Sequence, residues 1–194
     1  MTLSYTSDMK ILVNGCSFTS GEESSTAWPQ LIPHTHNIAT PGASNDYIMH
    51  STTQYIEEIE IPSHVIIAWT TPNRIEISGK HLTPTSKRKY GNVVDEVFKD
   101  WDTMWARERF MTTVKLMHHY LHSKNIPHLF MSAFEIQPWV MGPPPAPWLG
   151  WPRSGFVEWM WDCPKGPGGH PLELGHQRIA EKINEHIRTL GWIP

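Results

Sequence analysis

The chain has 194 residues and a formal net charge of −3 at pH 7. That length suits one domain with a sizeable core, and the near balance of charge signals no nucleic-acid partner. Ten Trp and 39% hydrophobic residues argue against disorder, and no run of about 18 apolar residues offers a membrane span. Two Cys make no disulfide framework. With an N-terminus too polar for a secretory signal, the expectation is a cytoplasmic protein, or a viral one made in a host cytoplasm.

The first nine residues are polar. Residues 10–13 (Lys-Ile-Leu-Val) form a short apolar run that stops at Asn14-Gly15, a breaker pair, and predict a buried strand. A short helix is expected at 28–32 and a strand at 37–39, ended by Pro41-Gly42. Ser44, Asn45 and Asp46 offer a helix N-cap ahead of helical spacing over 47–59. Residues 65–69 (Val-Ile-Ile-Ala-Trp) do not alternate, which predicts a strand buried on both faces. Residues 71–99 are polar and irregular, with a hairpin pattern pairing 74–77 with 81–83. A long helix over 100–122, a strand at 128–132 and a closing helix over 172–190 complete the elements. Between the last two, the stretch 137–169 is rich in Pro and Gly around Trp139, Trp148, Trp151, Trp159 and Trp161. It reads as an ordered lid, or as an aromatic platform for a sugar ring. Strands alternating with helices imply βαβ units and a mostly parallel sheet.

Four stretches carry chemistry, each beside a different element. Asn14-Gly15-Cys16-Ser17-Phe18-Thr19-Ser20-Gly21 follows the first strand. There Ser17 sits at the carboxyl edge of the sheet, where open α/β sheets bind ligands, with backbone N–H groups nearby for a developing oxyanion. Thr40-Pro41-Gly42-Ala43-Ser44-Asn45 follows the second strand and Thr70-Thr71-Pro72-Asn73-Arg74 the third. Gly168-Gly169-His170-Pro171 precedes the last helix, with Gly175-His176 just beyond. A nucleophile, a Gly, an Asn and a His are the parts of an acyl-transfer site. Four side chains have competing readings. Cys16 is either a thiol nucleophile or a buried structural Cys. His118 and His122 have the spacing of zinc ligands but no Cys or Glu grouped with them, and read as a solvated face. His176 reads as a supporting residue rather than the base.

In order and spacing these blocks resemble the SGNH (GDSL-like) hydrolase family, and their wording is most similar to small phage and marine-microbial members. The resemblance covers residues 10–75 and 165–190. It implies a three-layer αβα sandwich with a four- or five-stranded parallel sheet in the order 2-1-3-4-5. It makes the whole chain one domain with an excursion at about 137–169. It implies Ser17 as nucleophile, His170 as base, and an oxyanion hole from the N–H groups of Ser17 and Gly42 with Asn73 or Asn45. Three departures stand out, the first being Cys16 in place of the first block's usual Asp. Pro72 stands where the third block has its Asn, and Pro167 stands where the fifth block has the Asp that orients the His. Asp162, Glu173 or Glu158 would have to supply that carboxylate. The implied activity is a serine esterase that removes a small acyl group such as acetate from a glycan or similar alcohol, without metal or cofactor. The alternative is a binding or virion structural module that kept the fold and lost efficient chemistry.

Overall fold

Four short strands set the frame: β1 (Ile11–Asn14), β2 (Thr35–Asn37), β3 (His64–Trp69) and β6 (His128–Ser132). They form one parallel sheet in the order β2-β1-β3-β6. Leu12 pairs with Val65, Ile66 with Leu129 and Ile11 with Thr35. The computed structural model describes residues 9–134, 144 and 146–194. Every residue of β1 and β6, and all of β3 after His64, is buried, as unalternated apolar runs require in a sheet covered on both faces.

Helices flank the sheet. On the chain they are α1 (Ser17–Ser20), a 3-10 turn (Trp28–Leu31), α2 (Asn45–Glu58), α3 (Lys87–Tyr90), α4 (Asn92–Phe98), α5 (Thr103–Ser123), α6 (Phe156–Trp159) and α7 (Glu173–Thr189). Helix α2 packs with α5, while α7 packs with the 3-10 turn and α6. The Ser44 side chain caps α2 by accepting from the Tyr47 N–H (3.2 Å). Asp102 caps α5 by accepting from the Met104 N–H (2.7 Å). No helix among the described residues is long and apolar enough to cross a membrane.

The structure departs from the sequence expectation in two places and settles a third. Strand β2 lies two residues earlier than 37–39, because Thr35 to Asn37 are the residues that reach β1 in register. The parallel sheet has four of the expected four or five strands, and no fifth joins it among the described residues. Its place beside β6 is taken by a single parallel bridge, where the Phe130 N–H donates to Pro147 O (2.9 Å) and the Leu149 N–H to Phe130 O (2.8 Å). Thirdly, the polar stretch 71–99 holds more than the expected hairpin. Strands β4 (Ile75–Ile77) and β5 (Lys80–Leu82) are antiparallel, and α3 and α4 follow them. These pieces share a small apolar cluster of Ile75, Leu82 and Val94, backed by Tyr90, Val97, Phe98 and Trp101, apart from the main core.

The described part of the Trp-rich excursion, 146–169, packs against the molecule's flank. Trp148 lies edge-on to Phe130 (6.1 Å between centroids) and to Trp151 (5.0 Å), and Phe156 lies edge-on to Trp28 (5.7 Å). Trp161 is 75% exposed. Trp139 falls outside the described residues, so the reading of the stretch as a lid or platform extends beyond them.

Candidate active site

All four main strands run in one direction, so the segments that leave β1, β2, β3 and β6 meet at one edge of the sheet. The turn after β1 is built by Asn14. Its side chain is fully buried, with Nδ2 within hydrogen-bond distance of Ile48 O (3.1 Å), Ser51 Oγ (2.9 Å) and Thr52 Oγ1 (2.9 Å). Its Oδ1 accepts from the Gly15 N–H (2.8 Å). This pins the end of β1 to α2. Gly15 has to be Gly: an added Cβ would sit 2.3 Å from Thr19 Oγ1. Cys16 then caps the single turn of α1, its O accepting from the N–H groups of Thr19 (2.8 Å) and Ser20 (3.0 Å). Its thiol is free and wholly buried, which fits a structural Cys and removes it from reach of a substrate.

Ser17 opens α1 and is 3% exposed. The turn carrying Gly42 is drawn onto the same place, because the Thr40 N–H donates to Gly15 O (3.3 Å) and Asn37 Nδ2 to Thr19 O (2.9 Å). Gly42 takes a φ of +78°, which an L side chain rarely adopts. The ring of His170 lies edge-on to Phe18, the neighbour of Ser17, at 5.6 Å between centroids. Ser17, Gly42 and His170 thus come from three separate segments to one edge. No hydrogen bond joins Ser17 Oγ to His170 in this arrangement; catalytic contacts of this kind commonly tighten only around a bound substrate.

The carboxylate on His170 comes from an unexpected source. His170 Nδ1 is 2.8 Å from Glu23 Oε2. Glu23 also accepts from the Gly168 N–H (2.7 Å) and the His170 N–H (3.3 Å). It stands just after α1 with a φ of +69°. The Gly168 N–H, then His170, hold its carboxyl below the usual range. The glycines around His170 make room: a Cβ on Gly166 would meet Glu23 Oε2 at 2.6 Å. On the other ring nitrogen, His170 Nε2 is 3.4 Å from Glu22 Oε2.

The carboxylates offered for this task by the sequence are held elsewhere. Asp162 pairs with Arg178. Its own N–H at the start of α7, then the Ser25 N–H (3.1 Å) and hydroxyl (2.9 Å), from which Glu173 accepts, bring the Glu173 carboxyl down to about 2. Glu158 accepts from the Gly155 N–H (2.7 Å). Glu23 leaves no local signal in the sequence, because it lies 147 residues from His170 along the chain.

The two candidate Asn residues also separate. Asn45 Nδ2 donates to Thr70 O (3.1 Å) and Thr71 O (3.4 Å), while its Oδ1 accepts from the Thr70 N–H (2.9 Å). Its amide therefore ties α2 to the end of β3 and is not free for an oxyanion, which corrects that expectation. Asn73 Oδ1 accepts from Trp101 Nε1 (3.1 Å), a bond made by the oxygen of the amide and not by Nδ2.

His176, fully buried on α7, accepts the Trp28 N–H at Nδ1 (3.2 Å). Burial brings its pKa down to about 4, so the ring is a neutral strut. His118 Nδ1 meets His128 Nε2 (2.8 Å) near the opposite edge of the sheet, and no group of three or more His, Cys, Asp or Glu able to hold a metal occurs among the described residues.

No protein-family model and no curated protein matches the chain. Solved structures do. The psychrotrophic esterase EstA from Pseudoalteromonas sp., in a structure inhibited by monoethylphosphonate, superposes with a TM-score of 0.61 at 13% identity, over 94% of this chain and 98% of that one. A member of the lipolytic protein G-D-S-L family from Veillonella parvula superposes with a TM-score of 0.54 at 12% identity, over 91% and 97%. At such identities the likeness is one of architecture, and on that ground the chain has the fold of the SGNH, or GDSL-like, hydrolases.

Proposed function

We propose that the protein is a serine ester hydrolase of SGNH type, acting on a small acyl ester such as the acetyl ester of a glycan or similar alcohol. The observation that carries the reading is the meeting of Ser17, Gly42 and a carboxylate-held His170 at one sheet edge. Ser17 Oγ attacks the ester carbonyl carbon while His170 Nε2 takes its proton. The carbonyl oxygen becomes an oxyanion, received by the N–H groups of Ser17 and Gly42 and by Asn73 Nδ2. The intermediate collapses, the alcohol leaves with the proton from His170, and Ser17 holds the acyl group. Water, with its proton taken by His170, then releases the acid and restores Ser17. Glu23 keeps Nδ1 protonated, directs Nε2 toward the hydroxyl and stabilises the imidazolium. Substrate entry has to move the Glu22 carboxylate off Nε2.

Two measurements test this. A fluorophosphonate probe should label wild type and leave Ser17→Ala unlabelled. Hydrolysis of a short-chain aryl ester should fall about 10³-fold or more in Ser17→Ala. A wild type that neither hydrolyses nor takes label would instead be the non-catalytic module. A Cys16→Ser variant that is dead beside an active Ser17→Ala would make the protein a thiol enzyme.

A further inference from the structure

Arg74 ends the turn after β3, its N–H donating to Thr71 O (3.3 Å) and its O accepting from Arg109 Nη2 (2.9 Å). The backbone is thus fixed from two sides. The guanidinium lies over the Phe134 ring, with Cζ 5.4 Å from the centroid. Phe134 in turn packs on Phe18 (4.9 Å), and Phe18 on His170 (5.6 Å). One stack of rings therefore runs from Arg74 to the candidate base.

Nε and Nη1 of Arg74 are sealed from solvent and have no hydrogen-bond partner. Nor does Arg74 form an ion pair among the described residues. Glu23 and Glu22 face His170, and Asp46 faces Arg109 (3.6 Å), while Glu76, opposite His81 in the hairpin, makes no ion pair with Arg74. A second unpaired group stands close by. His81, on β5, has Nδ1 buried without a partner. Its ring lies edge-on to Tyr47 (4.9 Å), and its Cβ is 3.7 Å from where a Gly42 Cβ would be. Burial above all, with help from Lys89 and Arg74 and against Glu76, keeps the imidazole below its ordinary pKa. Arg74 and His81 thus border both halves of the site, the base through Phe18 and the oxyanion side through Gly42.

Leaving charged N–H donors buried and unpaired is costly in a folded protein, and an arginine keeps its charge under all ordinary conditions. Oxyanions are what a guanidinium pairs with best.

We propose that Arg74, with His81 Nδ1 beside it, binds an anionic group of the ester substrate as substrate entry opens the side-chain contacts that cover these atoms: a carboxylate, sulfate or phosphate on its acyl or its alcohol part. This rests on the esterase reading and adds a substrate class to it.

The experiment has two kinetic arms and one binding arm. The acyl arm compares an aryl hemiglutarate with the aryl butyrate; the alcohol arm compares an acetylated uronic acid with the acetylated neutral sugar. In one arm wild type should prefer the anionic ester by about tenfold or more in kcat/KM. That ratio should fall towards one in Arg74→Met, which keeps an apolar stem over Phe134, and be partly kept in Arg74→Lys. A ratio near one in both arms, or one unchanged in Arg74→Met, overturns the inference while measurable hydrolysis leaves the esterase reading standing. Calorimetric titration of glutarate and of glucuronate into folded Ser17→Ala protein needs no turnover. One of the two should bind, and binding should vanish when Arg74→Met is added. Equal binding in both proteins, or none in either, overturns the inference whatever the esterase assay shows. If Arg74→Met does not fold, Arg74→Gln replaces it in both arms.

Discussion

Two turns build the candidate site, and they are held in opposite ways. The turn over 14–21 is buried and closed by its own short network: Asn14 onto α2, Gly15 under Thr19, Cys16 capping α1. The turn over 164–171 is largely open to solvent. It is closed by the Gly166 N–H to His170 O (2.9 Å) and the Gly169 N–H to Gly166 O (2.9 Å), and then by one carboxylate, Glu23, from far away in the chain. The first turn is stiff because it belongs to the core. The second is placed by electrostatics, and its anchor leaves directly from the first. A nucleophile in packed surroundings and a base on a polar tether divide the work: the core fixes where attack begins, and Glu23 fixes which nitrogen faces it.

Breaking the tether should give the largest effect. Glu23→Gln removes the charge that orients and stabilises His170, and kcat should fall by up to about 10⁴-fold with little change in KM. Stability should barely move, because the pair is open to solvent and screened. Glu23→Asp should recover part of the rate. Steady-state kinetics beside thermal melts will show it, and a melt that drops in parallel with kcat would make Glu23 a structural residue.

The next effect sharpens the contrast between His170 and its neighbour His176. The folded protein holds the His176 pKa at about 4, whereas an unfolded chain titrates near 6.5. The unfolded state therefore binds the proton first as acid is added. Stability is full above about pH 6.5 and declines as the pH falls towards 4, by about 3 kcal/mol in all. Urea midpoints measured from pH 7 to pH 4 should show this slope, and His176→Gln should flatten it. An equal slope in both proteins would place the acid sensitivity elsewhere.

Breaking the buried turn gives the smallest of the three. Asn14→Ala should cost about 1–3 kcal/mol, read as a lower urea midpoint. Unlike Glu23→Gln, it should lower stability and activity together, since the end of β1 carries Ser17. Loss of activity at unchanged stability would contradict the division drawn above.

The same contrast explains what could be read from the residues alone. Buried strands announce themselves through unbroken apolar runs, so β1, β3 and β6 were legible, as were α2, α5 and α7 from caps and spacing. The turn after β1 was legible too, because its small residues serve local geometry. Strand β2 carried a fainter signal: Thr35, His36 and Asn37 form an edge strand with partly or fully exposed residues, set by register rather than by apolarity. Helix α4 escaped because its apolar residues serve a small separate cluster rather than the main core. Glu23 escaped because a carboxylate recruited from another part of the chain leaves no local spacing, and Asn45 was misread because only the structure shows both sides of its amide already engaged.

The small cluster around Ile75, Leu82 and Val94 lies apart from the main core, so the segment that carries it forms a smaller unit with few buried side chains of its own. So few buried side chains stabilise the smaller unit that its amides belong to the low-protection end of hydrogen exchange, opening while the sheet stays closed. Arg74 borders that unit and His81 lies within it. A ligand they hold raises its stability by mass action, so occupancy is written into the exchange rates of amides over 75–98 that never touch the ligand.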